Sequence, residues 1–219
     1  MNADRKEWLF LKKRGKMHKF SEDYYENGIK KKLSGYTNYR WMPTRSISEA
    51  AEIKKRFVFE NCVDIGCAKG FLVHALRLMG CDAYGEDISE YAIENCYPKV
   101  KPYLSFPNDK KYDLLICKDV LEHIEKEELP DFLNYLLPKG KQFFFVIPLG
   151  DNDRFRIREY EVDVTHVTKK DEEWWIELFN RTGYKLKEFS YSFGVVKEKW
   201  TISFPYGNGF FILEKNDSK

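Results

Sequence analysis

Short apolar runs alternate with longer helical patterns from Asn61 onward, and this alternation limits the possible folds more than any other feature of the sequence. Units of strand, helix and strand repeated in this way form a parallel sheet with helices packed on it. The predicted strands lie near residues 61–65, 82–87, 100–106, 113–118 and 141–147. The predicted helices cover residues 46–56, 71–79, 91–96, 126–137 and 170–182.

The two ends of the chain differ from this central pattern. Residues 1–45 show no sustained period and are interpreted as an N-terminal extension to a domain spanning residues 46–219. Ser46 followed by Glu49 fits a capping box at the start of the first helix of that domain. Aromatic, alternating segments at residues 184–193 and 200–213 predict two antiparallel strands at the C-terminus.

A glycine-containing loop, residues 64–70 with the sequence DIGCAKG, joins the first predicted strand to a helix. Glycine permits a tight turn and a close approach of backbone to a ligand, because a Cβ would collide there. The helix that begins near Gly70 presents unpaired N–H groups to a polar ligand. Taken alone, the loop fits either a nucleotide-like ligand or an ordinary strand-to-helix turn.

Asp87 ends the second predicted strand, 17 residues beyond Gly70. A carboxylate placed there can accept hydrogen bonds from both hydroxyls of a ribose. Glu86 precedes it and should point to the opposite face, because side chains alternate along a strand. Two adjacent acids leave the assignment open, and Glu86 on its own could simply be solvated.

Three segments in this order resemble class I S-adenosylmethionine-dependent methyltransferases: residues 64–70, residues 85–89 (GEDIS) and residues 112–124 (YDLLICKDVLEHI). The resemblance implies a three-layer, Rossmann-like α/β fold. Its mostly parallel sheet would have seven strands, with one antiparallel strand near the C-terminus. The loop lacks the Gly-x-Gly-x-x-Gly spacing that brings backbone against a pyrophosphate, which disfavours a nicotinamide-dependent reductase.

The same resemblance implies S-adenosylmethionine as the cofactor and a set of residues to hold it. Similar proteins commonly place an acidic residue before the fourth strand, at the adenine amino group, and residues 103–106 (YLSF) offer none. The implied cofactor residues are Asp64, Gly66, Cys67, Ala68 and Gly70 beside the methionine portion, Asp87 at the ribose, Ile88 on the adenine, and the backbone of Cys117 and Lys118 at the methionine amino group.

Two histidines are candidates for a catalytic role. Methyl transfer from a sulfonium is an in-line displacement, so the enzyme has mainly to align the acceptor and exclude water. A general base is needed only where the acceptor must lose its proton early. His123 and His166 are the candidate bases, with Asp163 as the group that orients His166. Structural roles stay open for both, since His123 would begin a helix and residues 163–168 would cap one.

Residues 148–168 form a connection longer than a plain loop, and we interpret it as an insertion on the acceptor side. Arg154, Arg156 and Arg158 alternate with apolar residues, so an extended segment would place the three cations on one face. They would either bind an anionic group of the acceptor or form a solvated face paired with neighbouring acids.

The extension carries aromatic residues around Arg40, within residues 34–43. Because similar methyltransferases fold an N-terminal segment over the cofactor, we expect a lid in which Arg40 pairs with the cofactor carboxylate. Tyr36 or Tyr39 would cover the cofactor. In the alternative, these aromatic residues only dock the extension on the domain. Basic residues between positions 12 and 19 are interpreted as a solvated tail, since no recognised RNA-binding motif follows them.

Composition and charge exclude several other classes of protein. There are 37 Lys and Arg residues against 35 Asp and Glu, so a net charge of +2 gives no overall attraction to nucleic acid or membrane. The first residues contain no unbroken apolar stretch, and we expect a cytoplasmic protein without signal peptide or anchor. The five cysteines lack paired spacing, which predicts reduced structural thiols, and no metal site is predicted.

The sequence therefore predicts an enzyme that transfers a methyl group from S-adenosylmethionine to oxygen or nitrogen of a small or medium polar acceptor. A sugar, a glycoconjugate or a natural-product-like metabolite fits this description. Two alternatives stay open. The basic N-terminus favours an RNA-modifying methyltransferase, although the near-neutral net charge disfavours it, and a regulatory protein would bind the cofactor without turnover.

Overall fold

The computed structural model describes residues 19–216. Most of the basic N-terminal segment therefore lies outside the described residues. The helices are α1 (Glu22–Glu26), α2 (Gly28–Lys31), α3 (Pro43–Arg56), α4 (Phe71–Leu78), α5 (Glu90–Glu94), α6 (Leu129–Leu136), α7 (Glu172–Arg181) and α8 (Glu198–Ser203). The strands are β1 (Asn61–Ile65), β2 (Asp82–Glu86), β3 (Leu104–Ser105), β4 (Tyr112–Lys118), β5 (Gly140–Pro148), β6 (Gly150–Asp151), β7 (Arg154–Phe155), β8 (Tyr184–Ser190) and β9 (Asn208–Lys215).

Seven of these strands form one sheet in the order β3-β2-β1-β4-β5-β9-β8. Strands β1 to β5 run parallel, and β9 runs antiparallel to both of its neighbours, β5 and β8. The predicted fold class is confirmed. Ile65 at the end of β1 pairs with Glu86 of β2 and with Cys117 of β4, so the carboxyl ends of these three strands meet at one edge of the sheet.

The sheet is covered on both faces, which gives the three layers. Along β4, Leu114 and Ile116 pack with residues of α3 and α4, whereas Leu115 and Cys117 pack with residues of α6 and α7. This division follows from the alternation of side chains along a strand. Both cores are apolar at the central strands, which is typical of a parallel sheet buried on both sides.

Three predicted elements differ from the structure. Helix α3 begins at Pro43, so Ser46 lies inside it rather than capping it, and proline suits the first position of a helix. Residues 98–103 form a 3-10 helix that contains two prolines, which leaves only β3 of the predicted strand. Helix α8 occupies residues 198–203, where an extended strand was predicted, and β9 begins at Asn208.

The acceptor-side insertion contains a short hairpin. Strands β6 and β7 pair antiparallel, and the 3-10 segment Arg158–Val162 follows them. No helix within residues 19–216 is long and apolar enough to cross a membrane.

Candidate functional site

The glycine loop follows β1 at the carboxyl edge of the sheet. Gly66 and Gly70 adopt left-handed φ angles of +72° and +74°, which favour glycine. A Cβ on Gly66 would lie 2.4 Å from Cγ2 of Val120, and a Cβ on Gly70 would lie 2.8 Å from Cδ1 of Leu104. These glycines are therefore required by the packing of the protein itself, a reason that the sequence interpretation, based on ligand contact, did not include.

Asp87 lies directly beside this loop and is buried. Its Oδ2 accepts a hydrogen bond from the backbone N–H of Ala68 at 2.7 Å, and its Oδ1 accepts one from Ser89 at 2.7 Å. Burial raises the pKa of Asp87, and these N–H donors oppose that rise. The backbone N–H of Ile88 also donates to this carboxylate. The predicted bonds to ribose hydroxyls stay a prediction.

The other predicted cofactor residues lie at the same edge. Gly66 and Cys67 donate their backbone N–H groups to the carbonyl of Glu86, at 2.7 Å and 3.2 Å. Ile88 is half-buried, and the Cys117 side chain is buried in the core on the face away from α4. Cys117 therefore offers only its backbone, in agreement with the role that the resemblance implies.

Asp64 faces a group of buried charges on the other side of the sheet. Burial raises its pKa to about 7, and the nearby Lys118 ammonium opposes that rise. Lys118 donates from Nζ to Oδ2 of Asp119 at 3.1 Å, and Lys197 donates to Oδ1 of the same carboxylate. Although burial opposes it, the two ammonium groups lower the pKa of Asp119. Sequence reasoning missed Asp119 and Lys197.

The N-terminal extension crosses this edge of the sheet. The carbonyl of Phe20 accepts a hydrogen bond from Oγ of Ser89 at 2.6 Å, next to Asp87. Glu26 pairs with Lys69 of the glycine loop at 2.5 Å. Further along the edge, Tyr24 donates its hydroxyl to Oδ2 of Asp163 at 2.6 Å. The extension thus contacts both the predicted cofactor residues and the segment that carries His166.

The aromatic residues of the extension pack on one another. The Tyr36 ring lies 4.8 Å from that of Tyr39 and 5.6 Å from that of Tyr24, centroid to centroid. Arg40 is exposed, and no ion pair involves it among residues 19–216. A neighbouring cation, Arg45, pairs with Glu49 at 3.1 Å. Docking of the extension is therefore observed, and the predicted pairing of Arg40 with a cofactor carboxylate stays a prediction.

The structure brings His123, Asp163 and His166 together. The two histidine rings lie 4.5 Å apart, centroid to centroid. Nδ1 of His123 lies 2.7 Å from Oγ1 of Thr165, which in turn donates to Oδ1 of Asp163 at 2.6 Å. Burial, and the second histidine, lower the pKa of His123 to about 4, and burial lowers the pKa of His166. Both rings are therefore neutral at pH 7.

The predicted orientation of His166 by Asp163 is wrong. Nε2 of His166 lies 3.9 Å from Oδ2 of Asp163, beyond hydrogen-bond distance. Nδ1 of His166 instead lies 2.7 Å from the backbone carbonyl of Tyr160. Asp163 acts on His123, through Thr165, because the 163–166 turn places the hydroxyl of Thr165 between the carboxylate and that ring.

Residues 35–188 match a protein-family model described as a methyltransferase domain. The chain belongs to the methyltransferase family. The resemblance seen in the three sequence segments is thereby confirmed at the level of the family.

Individual relatives of this methyltransferase differ in what they modify. It is 33% identical over 85 residues to a magnesium-protoporphyrin O-methyltransferase from Synechocystis. It is 28% identical over 141 residues to a probable tRNA (uracil-O(2)-)-methyltransferase from Caenorhabditis elegans. These matches cover 33% and 57% of the chain, but only 37% and 24% of the two relatives. The relatives therefore leave the acceptor of this methyltransferase open.

Solved structures with the same fold extend over more of the chain. A SAM-dependent methyltransferase from Archaeoglobus fulgidus superimposes with a TM-score of 0.60 at 17% identity, covering 80% of this chain and 95% of the other. A likeness at this identity establishes the fold alone.

Glu122 is a buried residue of the candidate site that sequence reasoning missed. Its side chain is fully buried, and neither carboxylate oxygen has a hydrogen-bond partner in the described part of the chain. Its backbone carbonyl accepts from the N–H groups of Val167 and Thr168, at 2.8 Å and 3.0 Å. The turn after β4 is thus fixed to the segment that carries His166. The only sequence signal was that Glu122 precedes a candidate histidine.

Burial alternates along the arginine segment of the insertion, with Phe155 and Ile157 buried between the three arginines. Arg156 makes two bonds to Asp151, at 2.7 Å and 2.9 Å, and also pairs with Glu172 at 2.8 Å. Arg154 and Arg158 are exposed, and Arg158 begins the 3-10 segment rather than continuing a strand. For Arg156 the paired interpretation holds. Binding of an anionic group of the acceptor by the arginines stays a prediction.

A solvated position for Glu86 is also wrong. Glu86 and Lys139 are both almost fully buried, with Nζ 2.5 Å from Oε2. Lys139 also donates to the carbonyl of Asn108 at 2.6 Å. The pair lies on the opposite face of the sheet from Asp87, as side-chain alternation requires, so we expect it to affect the stability of the fold rather than the cofactor.

Proposed function

We propose that this methyltransferase transfers the methyl group of S-adenosylmethionine to an oxygen or nitrogen atom of a small or medium polar acceptor. The observation that carries the proposal is the position of Asp87. Its buried carboxylate is held by backbone N–H groups on both oxygens, directly beside the glycine loop. A fixed acceptor of hydrogen bonds at this edge of a parallel sheet is what a bound ribose needs.

The acceptor would be held at the far end of the same edge, beside His123 and His166. Both rings are neutral, so each has an unprotonated nitrogen that can accept a hydrogen bond from an acceptor hydroxyl or amine. In the transfer step a lone pair of the acceptor attacks the methyl carbon, and the carbon–sulfur bond breaks with its electrons going to sulfur. S-adenosylhomocysteine and a proton are the other products.

We further propose that residues 19–45 act as a lid over both ends of this edge. The Phe20 ring lies 5.4 Å from the ring of His123, and Tyr25 stacks on Tyr91 of α5 at 6.0 Å. Apolar cover of this kind excludes water from the displacement, which strengthens the interactions that align the two substrates. The pairing of Arg40 with the cofactor carboxylate belongs to the closed form of this lid.

RNA is the second acceptor class, favoured by the similarity to the probable tRNA methyltransferase. Binding of RNA depends on phosphate contacts and falls steeply with salt. The net charge of +2 makes a large phosphate footprint a less natural fit. A titration with tRNA at rising salt concentration distinguishes the two classes, because affinity for a small neutral acceptor changes little with ionic strength.

Calorimetric titration with S-adenosylmethionine, S-adenosylhomocysteine and NAD tests the central proposal. We expect the first two to bind and NAD not to bind. In Asp87→Ala the affinity should fall at least about tenfold, because hydrogen bonds to a charged group are worth about 1.5–3 kcal/mol each. Glu90→Ala, an exposed carboxylate at the start of α5, is the matched control.

Each outcome bears on a separate part of the proposal. Failure of the wild-type protein to bind either sulfur compound would refute the proposed cofactor, and binding of NAD alone would replace it. Equal affinities in Asp87→Ala and Glu90→Ala would remove only the ribose assignment.

A further inference from the structure

Three side chains with atoms that can ligate a metal converge beside the proposed acceptor position. Glu122 and His123 belong to the turn after β4, and His166 belongs to the segment before α7. One ligating atom from each of the three lies within 4.8 Å of those of the other two. Nε2 of His166 is 4.0 Å from Oε1 of Glu122. These groups come from segments more than 40 residues apart, so the fold itself brings them together.

Each histidine is oriented by a hydrogen bond from its other ring nitrogen. The Tyr160 carbonyl can only accept, so Nδ1 of His166, 2.7 Å away, is the donor. The hydroxyl proton of Thr165 goes to Asp163, so this hydroxyl accepts from Nδ1 of His123. In both rings Nε2 then carries the free lone pair. Histidines that bind metals are oriented in this way, by a carbonyl or by a carboxylate beyond them.

Glu122 supplies an independent observation. It is fully buried, and both of its oxygens lack a hydrogen-bond partner within residues 19–216. The nearest buried ammonium group is used elsewhere, because Lys197 donates to Asp119, to the hydroxyl of Tyr160 and to Oδ1 of Asn208. A buried carboxylate without donors is costly unless it is paired or coordinates a metal. The arrangement therefore points to a cation as the missing partner.

We propose that Glu122, His123 and His166 bind one divalent first-row transition-metal ion, a site that the sequence did not predict. Two imidazoles and one carboxylate suit ions such as Zn²⁺, Co²⁺ or Fe²⁺ better than Mg²⁺ or Ca²⁺, which prefer oxygen ligands. Metal bonds of about 2.0–2.2 Å draw the ligand atoms to within about 3.5 Å of each other. Binding thus requires the side chains to close by on the order of 1 Å.

The position of this site suggests its use, which rests on the proposed function. Three protein ligands leave coordination positions open, as in catalytic metal sites. An ion held there would polarise an acceptor hydroxyl, which would release its proton to water more readily as its oxygen attacks the methyl carbon. The two histidines would then hold the ion through the Nε2 lone pairs that, without the ion, can accept a hydrogen bond from the acceptor, and neither would take the proton.

Titration of the full-length, chelator-treated protein with Co²⁺ alone tests the site without any methyl donor or acceptor. We expect one Co²⁺ per chain, a visible absorption band of the bound ion, and displacement by Zn²⁺. Glu122→Gln and His166→Gln should each weaken binding by about a hundredfold. Thr165→Val, which removes the group that orients His123, should weaken it by about tenfold to a hundredfold.

Two variants serve as matched controls. Glu125→Gln removes an exposed carboxylate three residues from Glu122, and His74→Gln removes a buried histidine of α4 that packs between Trp41 and Tyr97. Both should bind Co²⁺ like the wild-type protein. Thermal unfolding in the presence of chelator identifies any variant that fails to fold. Gln is isosteric with Glu and carries no charge, so Glu122→Gln should fold.

No saturable Co²⁺ band in the wild-type protein would overturn the proposal, and so would equal binding by folded Glu122→Gln and Glu125→Gln. Loss of binding in His74→Gln alone would place the ion elsewhere and also overturn it. These results are separate from the test of the proposed function. A protein that binds S-adenosylmethionine but not Co²⁺ refutes only the metal site, and the reverse refutes only the cofactor.

Discussion

The cofactor end and the acceptor end of the carboxyl edge are built in different ways. At the cofactor end, Asp87 bonds to backbone N–H groups 19 and 2 residues away along the chain. At the acceptor end, Tyr24 bonds to Asp163, 139 residues away, and His123 to Thr165, 42 residues away. Loop backbone therefore holds Asp87 itself, whereas side-chain contacts between distant segments fix the acceptor end.

This difference separates the residues that would bind the cofactor from those that would bind the acceptor. A carboxylate held by loop backbone can bind the same cofactor whatever the acceptor. The acceptor end includes the extension and the insertion, so its shape depends on how they dock. Substitutions at the two ends should therefore have separable effects on stability, cofactor affinity and docking.

The largest loss of unfolding free energy should come from Lys139→Met, on the face of the sheet opposite Asp87. It leaves Glu86 buried without its cation, which costs about 3–5 kcal/mol of unfolding free energy, measurable by urea denaturation. Cofactor affinity of the folded fraction should not change, because the pair faces away from Asp87. Replacing Glu86 by Gln in the same protein should recover much of the loss.

Lys141→Met is the control for this experiment, since its ammonium group is largely exposed beside Asp113. Little change is expected there. If Lys139→Met were no more destabilising than Lys141→Met, the stabilising role assigned to the buried pair would be wrong.

Gly66→Ala should affect both stability and cofactor binding. The new Cβ would lie 2.4 Å from Cγ2 of Val120 at a φ angle of +72°, so we expect a loss of about 1–3 kcal/mol in unfolding free energy. Cofactor affinity, measured by calorimetry, should fall with it because the loop backbone must shift. Val120→Ala in the same protein should recover part of the loss by removing the collision.

Gly35→Ala separates this effect from a general cost of replacing glycine. An added Cβ on Gly35 meets nothing within 4 Å. Equal losses in Gly66→Ala and Gly35→Ala would contradict the view that the glycine loop is fixed by local packing.

The contrast between local and long-range contacts also explains which features could be predicted from the sequence. Strand β1 and Asp87 were predicted because hydrophobic period, glycine spacing and a carboxylate at a strand end are all local patterns. The strand expected at residues 100–106 was largely wrong because two prolines favour a 3-10 helix there. The contact between Lys197 and Asp119 joins residues 78 apart, which no local pattern reveals.

The pH dependence of the unfolding free energy tests the buried carboxyl group of Asp64. Because burial raises the pKa of Asp64 to about 7, the folded state binds a proton that the unfolded state has released from about pH 4 upward. Stability should therefore fall as pH rises toward 7, by at most about 1.4 kcal/mol per pH unit from this group, and level off above.

Asp64→Asn should remove the decrease in stability with rising pH. The melting temperature of the variant minus that of the wild-type protein should therefore increase between pH 5 and about 8. Asp131→Asn, an exposed residue at the start of α6, is the control. Parallel pH profiles for wild type and Asp64→Asn, measured without cofactor, would show that Asp64 is not the group responsible.

The smallest change in unfolding free energy is expected for the ion pair that joins the extension to the glycine loop. Glu26 and Lys69 are mostly buried, and their side chains are 2.5 Å apart. A double-mutant cycle with Glu26→Gln and Lys69→Met should give a coupling free energy of about 1 kcal/mol in unfolding. If the extension is a lid, the cofactor should also dissociate a few times faster from either variant, as stopped-flow fluorescence can measure.

The pair Asp23 and Lys31 provides the matched cycle within the same extension. Its side chains are 39% and 50% exposed, and their hydrogen bonds within residues 19–216 stay inside the extension. Solvent screening should leave its coupling near zero and the dissociation rate unchanged. A faster cofactor dissociation in the Asp23 and Lys31 variants as well would mean that charge on the extension, rather than its attachment to the loop, controls release. The two cycles together therefore decide whether attachment of the N-terminal extension to the glycine loop slows release of the cofactor.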